Sequence, residues 1–246
     1  MTTTIETYLN SLSEDISELS ICNMGIRLLP DLTRFKNLKK LYCYNNHLPS
    51  LPTLPPKLEE LGCCGNNLTV LPTLPQYLTT LHCSSNKLTV LPTLPPKLEE
   101  LGCCDNKLTV LPTLPQNLIR LFCSDNNLTS LPTTLPQNLT TLHCYGNKLI
   151  MLPTSPENII YGIKYINNPI YEIINNNYSL VQTRQNIQIL NNFRHLYYCL
   201  KFKKQFRKWL WEKVREPKVK KLYNPIYLIE NLGQDDDLDK ILNNWK

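Results

Sequence analysis

The chain has 246 residues, 42% hydrophobic and 19% charged, with a formal net charge of +6; this balance excludes a disordered chain. It holds 19 prolines, only 7 glycines and no alanine, which argues against a helical bundle, since Ala is the best helix former, and against a glycine-dependent nucleotide-binding fold. No run approaches the ~18 apolar residues of a membrane-crossing helix, and residues 1–10 carry Glu6 without a basic cluster, so no secretory signal is expected.

Residues 3–12 open with the capping pair Thr3-x-x-Glu6 and place Ile5, Tyr8, Leu9 and Leu12 on one face. Residues 1–15 are therefore expected to form a helical cap.

A 20-residue repeat follows. LPTLPPKLEELGCCGNNLTV at 51–70 returns nearly unchanged at 91–110, with looser copies at 71–90 and 111–130. The better match at a spacing of 40 points to duplication of a two-repeat unit. The frame L-x-x-L-x-C-x-x-N-x-L occupies 38–48, 58–68, 78–88, 98–108, 118–128 and 139–149. Degenerate copies stand at 16–26, with Met24 in the Asn position, and at 160–170, which keeps Ile160, Ile163, Tyr165, Asn168 and Ile170. The seventh copy has one extra residue, in Leu131-Pro-Thr-Thr-Leu135, which a loop accommodates.

In each copy Leu and Cys alternate with small or polar residues, as in Leu61-Gly62-Cys63-Cys64, the pattern of a short strand with one buried face. The Asn that follows (46, 66, 86, 106, 126, 147) has an amide suited to pairing buried backbone groups. The other half, Leu51-Pro-Thr-Leu-Pro-Pro, cannot be helical, because its prolines lack donors and fix φ near −65°; an extended, polyproline-like return is expected. One such turn cannot stand alone, so stability must be shared between neighbours.

The unit L-P-x-L-P-x-x-L-x-x-L-x-x-x-x-N-x-L-T-x resembles the short leucine-rich repeat of secreted bacterial effectors. Its Cys-for-hydrophobe variant, in an Asn-rich, Ala-free chain, resembles leucine-rich repeat proteins of giant amoebal (mimivirus-like) viruses. The resemblance implies an α/β solenoid over 16–170 with about eight repeats, a parallel β-sheet on the concave face, an extended convex face, and an α-helical C-terminal region. It also implies a non-enzymatic scaffold for a host or viral protein partner, acting inside a host cell. Bacterial effectors of this type include ubiquitin ligases with a catalytic C-x-D motif. Here Cys199 is followed by Leu200 and Lys201, so neither a ligase nor an adaptor is expected; a structural or virion component is the other alternative.

The ten cysteines follow the repeat. Cys43, Cys63, Cys83, Cys103, Cys123 and Cys144 share one inward position and are read as small hydrophobic filler, which places the chain in a reducing compartment. Cys64 and Cys104 face outward. No C-x-x-C spacing occurs, so neither a metal nor another cofactor is expected.

Outward strand positions supply the candidate binding face. Tyr42, His82, Phe122 and His143 recur at its middle, with Tyr44 and Tyr145 beside them. Two readings of these rings stay open: anchors for a partner, or packing on one another across the sheet. Glu59, Glu60, Glu99 and Glu100 are read as a solvated face. His82 and His143 lie about 15 Å apart by strand spacing, too far for joint chemistry, and no catalytic set is present.

From 171 to 246 the prolines thin out, and Ile189, Phe193, Leu196 and Leu200, then Phe206, Trp209, Leu210 and Val214, recur with helical period. Residues 1–182 carry a net charge of −1 and residues 183–246 one of +7. The basic patch comprises Lys203, Lys204, Arg207, Lys208, Lys218, Lys220 and Lys221. Its reading is the polar side of a C-terminal cap, ahead of an acidic protein, nucleic acid or an anionic membrane. A monomer is expected.

Overall fold

The computed structural model describes residues 2–153, 159, 163–174, 185, 187–189 and 191–192. The chain divides into two compact units, Met1–Asn191 and Asn192–Lys246. The first begins with helix α1 (Thr2–Asn10) and continues as eight short strands: β1 (Glu18–Ser20), β2 (Lys40–Tyr42), β3 (Glu60–Gly62), β4 (Thr80–His82), β5 (Glu100–Gly102), β6 (Arg120–Phe122), β7 (Thr141–His143) and β8 (Ile163–Lys164). Helix α2 spans Pro169–Ile174. The strands form one parallel sheet in sequence order. Their register repeats without slippage, Leu41 against Leu61, Leu61 against Leu81, Leu81 against Leu101 and Leu101 against Leu121. This is the leucine-rich repeat solenoid.

Each strand is only two or three residues long, and the inward alternation of the strand Leu with the ladder Cys two residues on carries the chain to the corner. Outward neighbours remain half-buried. A single hydrophobic core runs from Ile5 to Ile187, and the strand leucines and the six ladder cysteines are wholly buried in it. All nine cysteines among the described residues are free thiols. No described helix is long and apolar enough to cross a membrane.

The ladder asparagines stitch successive turns. Asn66 donates from Nδ2 to the carbonyl of Cys43 in the preceding turn (2.9 Å) and to Cys63 and Cys64 in its own. Its Oδ1 accepts from the Leu48 amide (3.0 Å). Asn106, Asn126, Asn147 and Asn168 repeat the scheme. Each side chain serves a corner where the ladder cannot pair the backbone, at a depth where an unpaired amide or carbonyl costs about 1–3 kcal/mol. Met24 has no such group; Asn46 accepts from the Ile26 amide as the other ladder residues do, and also from the Met24 amide.

The residue before each ladder position has a left-handed backbone: Asn23, Asn45, Gly65, Ser85, Asp105, Asp125, Gly146 and Asn167. Gly and Asn tolerate this region best, which explains the composition of that column. The Pro-dense returns are extended, closed by a turn in which Leu58, Leu78, Leu98 and Leu118 donate to Pro55, Pro75, Pro95 and Pro115. The extra residue of the seventh copy sits in a bend at 133–134.

The ends depart from the sequence expectations in three places. Helix α1 starts at Thr2, so Thr3 lies inside it rather than capping it. Ile5 and Leu9 enter the core, with Leu12 packed against it, but Tyr8 is exposed. The pair at i and i+4 points along one line, and the residue at i+3 falls to its side. Arg34 donates to the Leu9 carbonyl and fastens the helix to the first turn. That turn has two more residues than the standard return between Leu32 and Leu38, and Phe35, wholly buried, fills the added space. At the far end Ile187 is buried while Ile189 is 63% exposed. Two residues are about 200° of helix, so seating Ile187 turns Ile189 away. Asn191 donates to the Leu152 carbonyl (2.9 Å), and Tyr165 meets Tyr171 edge-on.

Candidate binding face of the sheet

Side chains on the outward face follow the two-turn period of the sequence. On β3 and β5 the triplet is Glu-Leu-Gly; on β4 and β6 it is Thr-Leu-His and Arg-Leu-Phe. Bulk and emptiness thus alternate along the solenoid, so a large side chain on one turn leans over the glycine of the next. Tyr44 does this over Gly62: a Cβ at position 62 would overlap the phenol. His82 approaches Gly102 in the same sense, 3.1 Å from where a Cβ would stand.

The glutamates of the Gly-bearing turns are held by neighbouring turns, Glu60 from the preceding one and Glu100 from both sides. Glu60 accepts from the Tyr42 hydroxyl (2.5 Å) and pairs with Lys40 (2.7 Å). Glu100 meets His82 Nε2 (2.9 Å) and accepts from Arg120 Nε (2.6 Å). The hydrogen bonds from Lys40 and Tyr42 hold the Glu60 carboxyl below its ordinary range. At Glu100 burial works to raise the value, but the bonds from His82 and Arg120 outweigh it and the net direction is down. These two acids are therefore not a solvated row, as the sequence suggests; they are half-buried hubs joining adjacent turns. Glu59 is held as well, by Lys39 (2.9 Å).

All six sequence-identified residues lie on or beside this face. Tyr42 stacks on Tyr44 with centroids 5.8 Å apart, and Phe122 meets His143 edge-on at 5.0 Å. Packing across the sheet is therefore real, yet the rings keep open surface: Tyr42, Tyr44, His82, Phe122 and His143 are half-buried and Tyr145 is exposed. Burial pushes the Tyr44 hydroxyl up to about 12 and, with the Glu60 bond, raises Tyr42 further. Both phenols are thus neutral donors. Burial, followed by the Lys164 charge, lowers His143, which favours neutral imidazole. His82 and His143 belong to separate clusters and form no shared set. The tail patch Lys203, Lys204, Arg207, Lys208, Lys218, Lys220 and Lys221 lies outside the described residues.

Beside the rings runs a column that explains the outward cysteines. The Ser84 amide donates to the Cys64 sulfur, the Cys104 amide to Ser84 Oγ (3.1 Å), and the Ser124 amide to the Cys104 sulfur. Each side chain satisfies a strand-end N–H of the next turn that the ladder leaves unpaired. Burial nevertheless dominates at both thiols and raises them, so neither is an activated nucleophile.

This face is a shaped array of half-buried and exposed aromatic rings beside internally paired charge. The chain matches no protein-family model and no curated protein sequence. It does match solved leucine-rich repeat structures. YopM from Yersinia enterocolitica is 39% identical, with a TM-score of 0.59, over 64% of this chain and 34% of that one. The YopM leucine-rich effector protein from Yersinia pestis is 36% identical, with a TM-score of 0.51, over 64% and 49%. A Shigella effector leucine-rich repeat domain is 31% identical, with a TM-score of 0.51, over 68% and 64%. The chain is thus similar to bacterial effector repeats and spans between about a third and two thirds of the lengths of these structures.

Proposed function

We propose that this chain is a non-enzymatic scaffold that binds a protein partner on the outward sheet face. The observation that carries the reading is the two-turn alternation there. Pairing of Glu60 and Glu100 within the sheet removes their charge as a binding determinant, while Tyr42, Tyr44, Phe122 and Tyr145 keep ring surface open. Aromatic groups held rigid over a neutralised floor have the character of interface hot spots. Similarity to effector repeats supports the same reading. The Asn-rich, Ala-free composition supports a giant-virus protein acting inside a host cell.

The test is affinity capture with mass spectrometry, comparing wild type with a variant carrying Tyr42→Ala, Phe122→Ala and Tyr145→Ala. The partner set should be lost while the far-ultraviolet spectrum is kept. The same partners at the same yield would refute the reading.

A further inference from the structure

The junction between the turn that carries β6 and the turn that carries β7 differs from its neighbours in several ways at once. The return of the β7 turn holds the extra residue, in a bend at Thr133 and Thr134. Beside that bend a cleft of about 360 Å³ separates the two returns, with Leu111, Pro112 and Leu114 on one wall and Leu131, Thr133 and Thr134 on the other. The added residue bows the chain away from its neighbour, and the facing walls lose each other as packing partners. The side-chain tie between returns lengthens there as well. Asn117 donates to the Pro96 carbonyl at 3.0 Å, whereas its counterpart Asn138 reaches the Gln116 carbonyl only at 3.5 Å.

Side-chain ties on the sheet also stop at this junction. The two-turn alternation would place Glu-Leu-Gly on β7, but the strand reads Thr-Leu-His. No glutamate there clasps the preceding turn as Glu60 and Glu100 do. Bulk meets bulk instead of glycine, with Phe122 edge-on to His143. The outward column ends too. Ser84 Oγ accepts from the Cys104 amide (3.1 Å), whereas Ser124 Oγ, wholly buried, accepts nothing from the described residues of the β7 turn. What remains is the backbone ladder, in which the Cys123 and Asp125 amides each donate across the junction at 2.8 Å, and the corner held by Asn147.

The junction is thus tied along the strands and open along the returns. In a repeat array each turn is held by its interfaces with its neighbours, so a weakened interface divides the array into separately opening units. We propose that the junction between the β6 and β7 turns is a hinge built into the solenoid: the β7 turn swings about the β6–β7 ladder while the turns before it stay a rigid block. The ladder is the axis because its bonds are intact, and the cleft is the space the swing uses. The swing changes the curvature of the sheet and with it the spacing of Phe122 and His143, which stand on opposite sides of the hinge. It concerns the chain alone and is independent of the sheet-face reading.

Hydrogen exchange of the full chain under reducing conditions, resolved by residue with NMR, tests it on amides of the same register. Cys123 and Asp125 donate across the hinge, and Cys103 and Asp105 donate across the preceding junction at 2.8 and 3.0 Å. Because the bonds are alike, a static solenoid would protect both pairs equally. The hinge should lower protection at Cys123 and Asp125 at least about tenfold relative to Cys103 and Asp105. Deleting Thr134, which restores the 20-residue period, should shrink that step. Inserting a threonine after Thr93 should create a new step, lowering protection about tenfold at Cys83 and Ser85, which donate into the β5 turn. Equal protection of the two pairs in wild type, a smooth decline from turn to turn without a step, a step undiminished by the deletion, or unchanged protection at Cys83 and Ser85 after the insertion would overturn the proposal.

Discussion

Tyr44 lies across Gly62, one turn further along the sheet, and fills the space a side chain there would need. Gly62 has an ordinary strand backbone and sits at the end of β3. Its glycine is thus dictated by the neighbouring ring rather than by φ.

That relationship predicts a specific coupling. Gly62→Ala should destabilise the chain by about 1–3 kcal/mol through overpacking. In a Tyr44→Ala background the same substitution should cost little, because the space is then free. Urea denaturation of the four members of this cycle measures the difference; equal costs in both backgrounds would contradict the packing.

Acid should remove the Glu60 and Glu100 contributions. Both carboxyls are depressed in the folded chain, so their stabilisation is fully present above the unfolded value near 4.5 and fades as pH falls through the lower folded values. The Tm advantage of wild type over the Glu60→Gln, Glu100→Gln double variant should be clear at pH 7 and shrink steadily as the pH falls below about 4.5. A pH-independent gap would show that the contacts act by shape and not by charge.

Thiol chemistry should sort the cysteines by column. Burial pushes Cys43 and Cys144 up to about 12 and raises Cys63, Cys83, Cys103 and Cys123 strongly; the thiolate is the reactive form. Maleimide labelling of native protein at neutral pH, mapped by mass spectrometry, should find these six protected and the half-buried Cys22, Cys64 and Cys104 labelled slowly. In denaturant all ten cysteines of the chain, Cys199 included, should react. Rapid native labelling of Cys83 would mean the solenoid opens far more readily than its packing implies.

The strand frame, the asparagine ladder and the extended returns are legible in the sequence because one repeat explains them all: identical neighbours impose identical environments. The roles of Glu60 and Glu100 are not legible in one turn, since each depends on a residue from another, Tyr42 and Lys40 in one case and His82 and Arg120 in the other. The closer match at 40 residues is the signal that marks them. The end turns were harder still, because Phe35 and Ile187 fill spaces that no repeat unit defines.

By itself, then, the sequence determined the solenoid, its register and the candidate face, because a 20-residue period with one strand and one Pro-dense return per unit admits only stacking of like on like. Tertiary structure alone decided which outward groups are free. Whether a glutamate is solvated or clasped, and a cysteine is a nucleophile or a hydrogen-bond acceptor, depends on the side chain about 5 Å away on the next turn, a distance spanned by some twenty residues of chain.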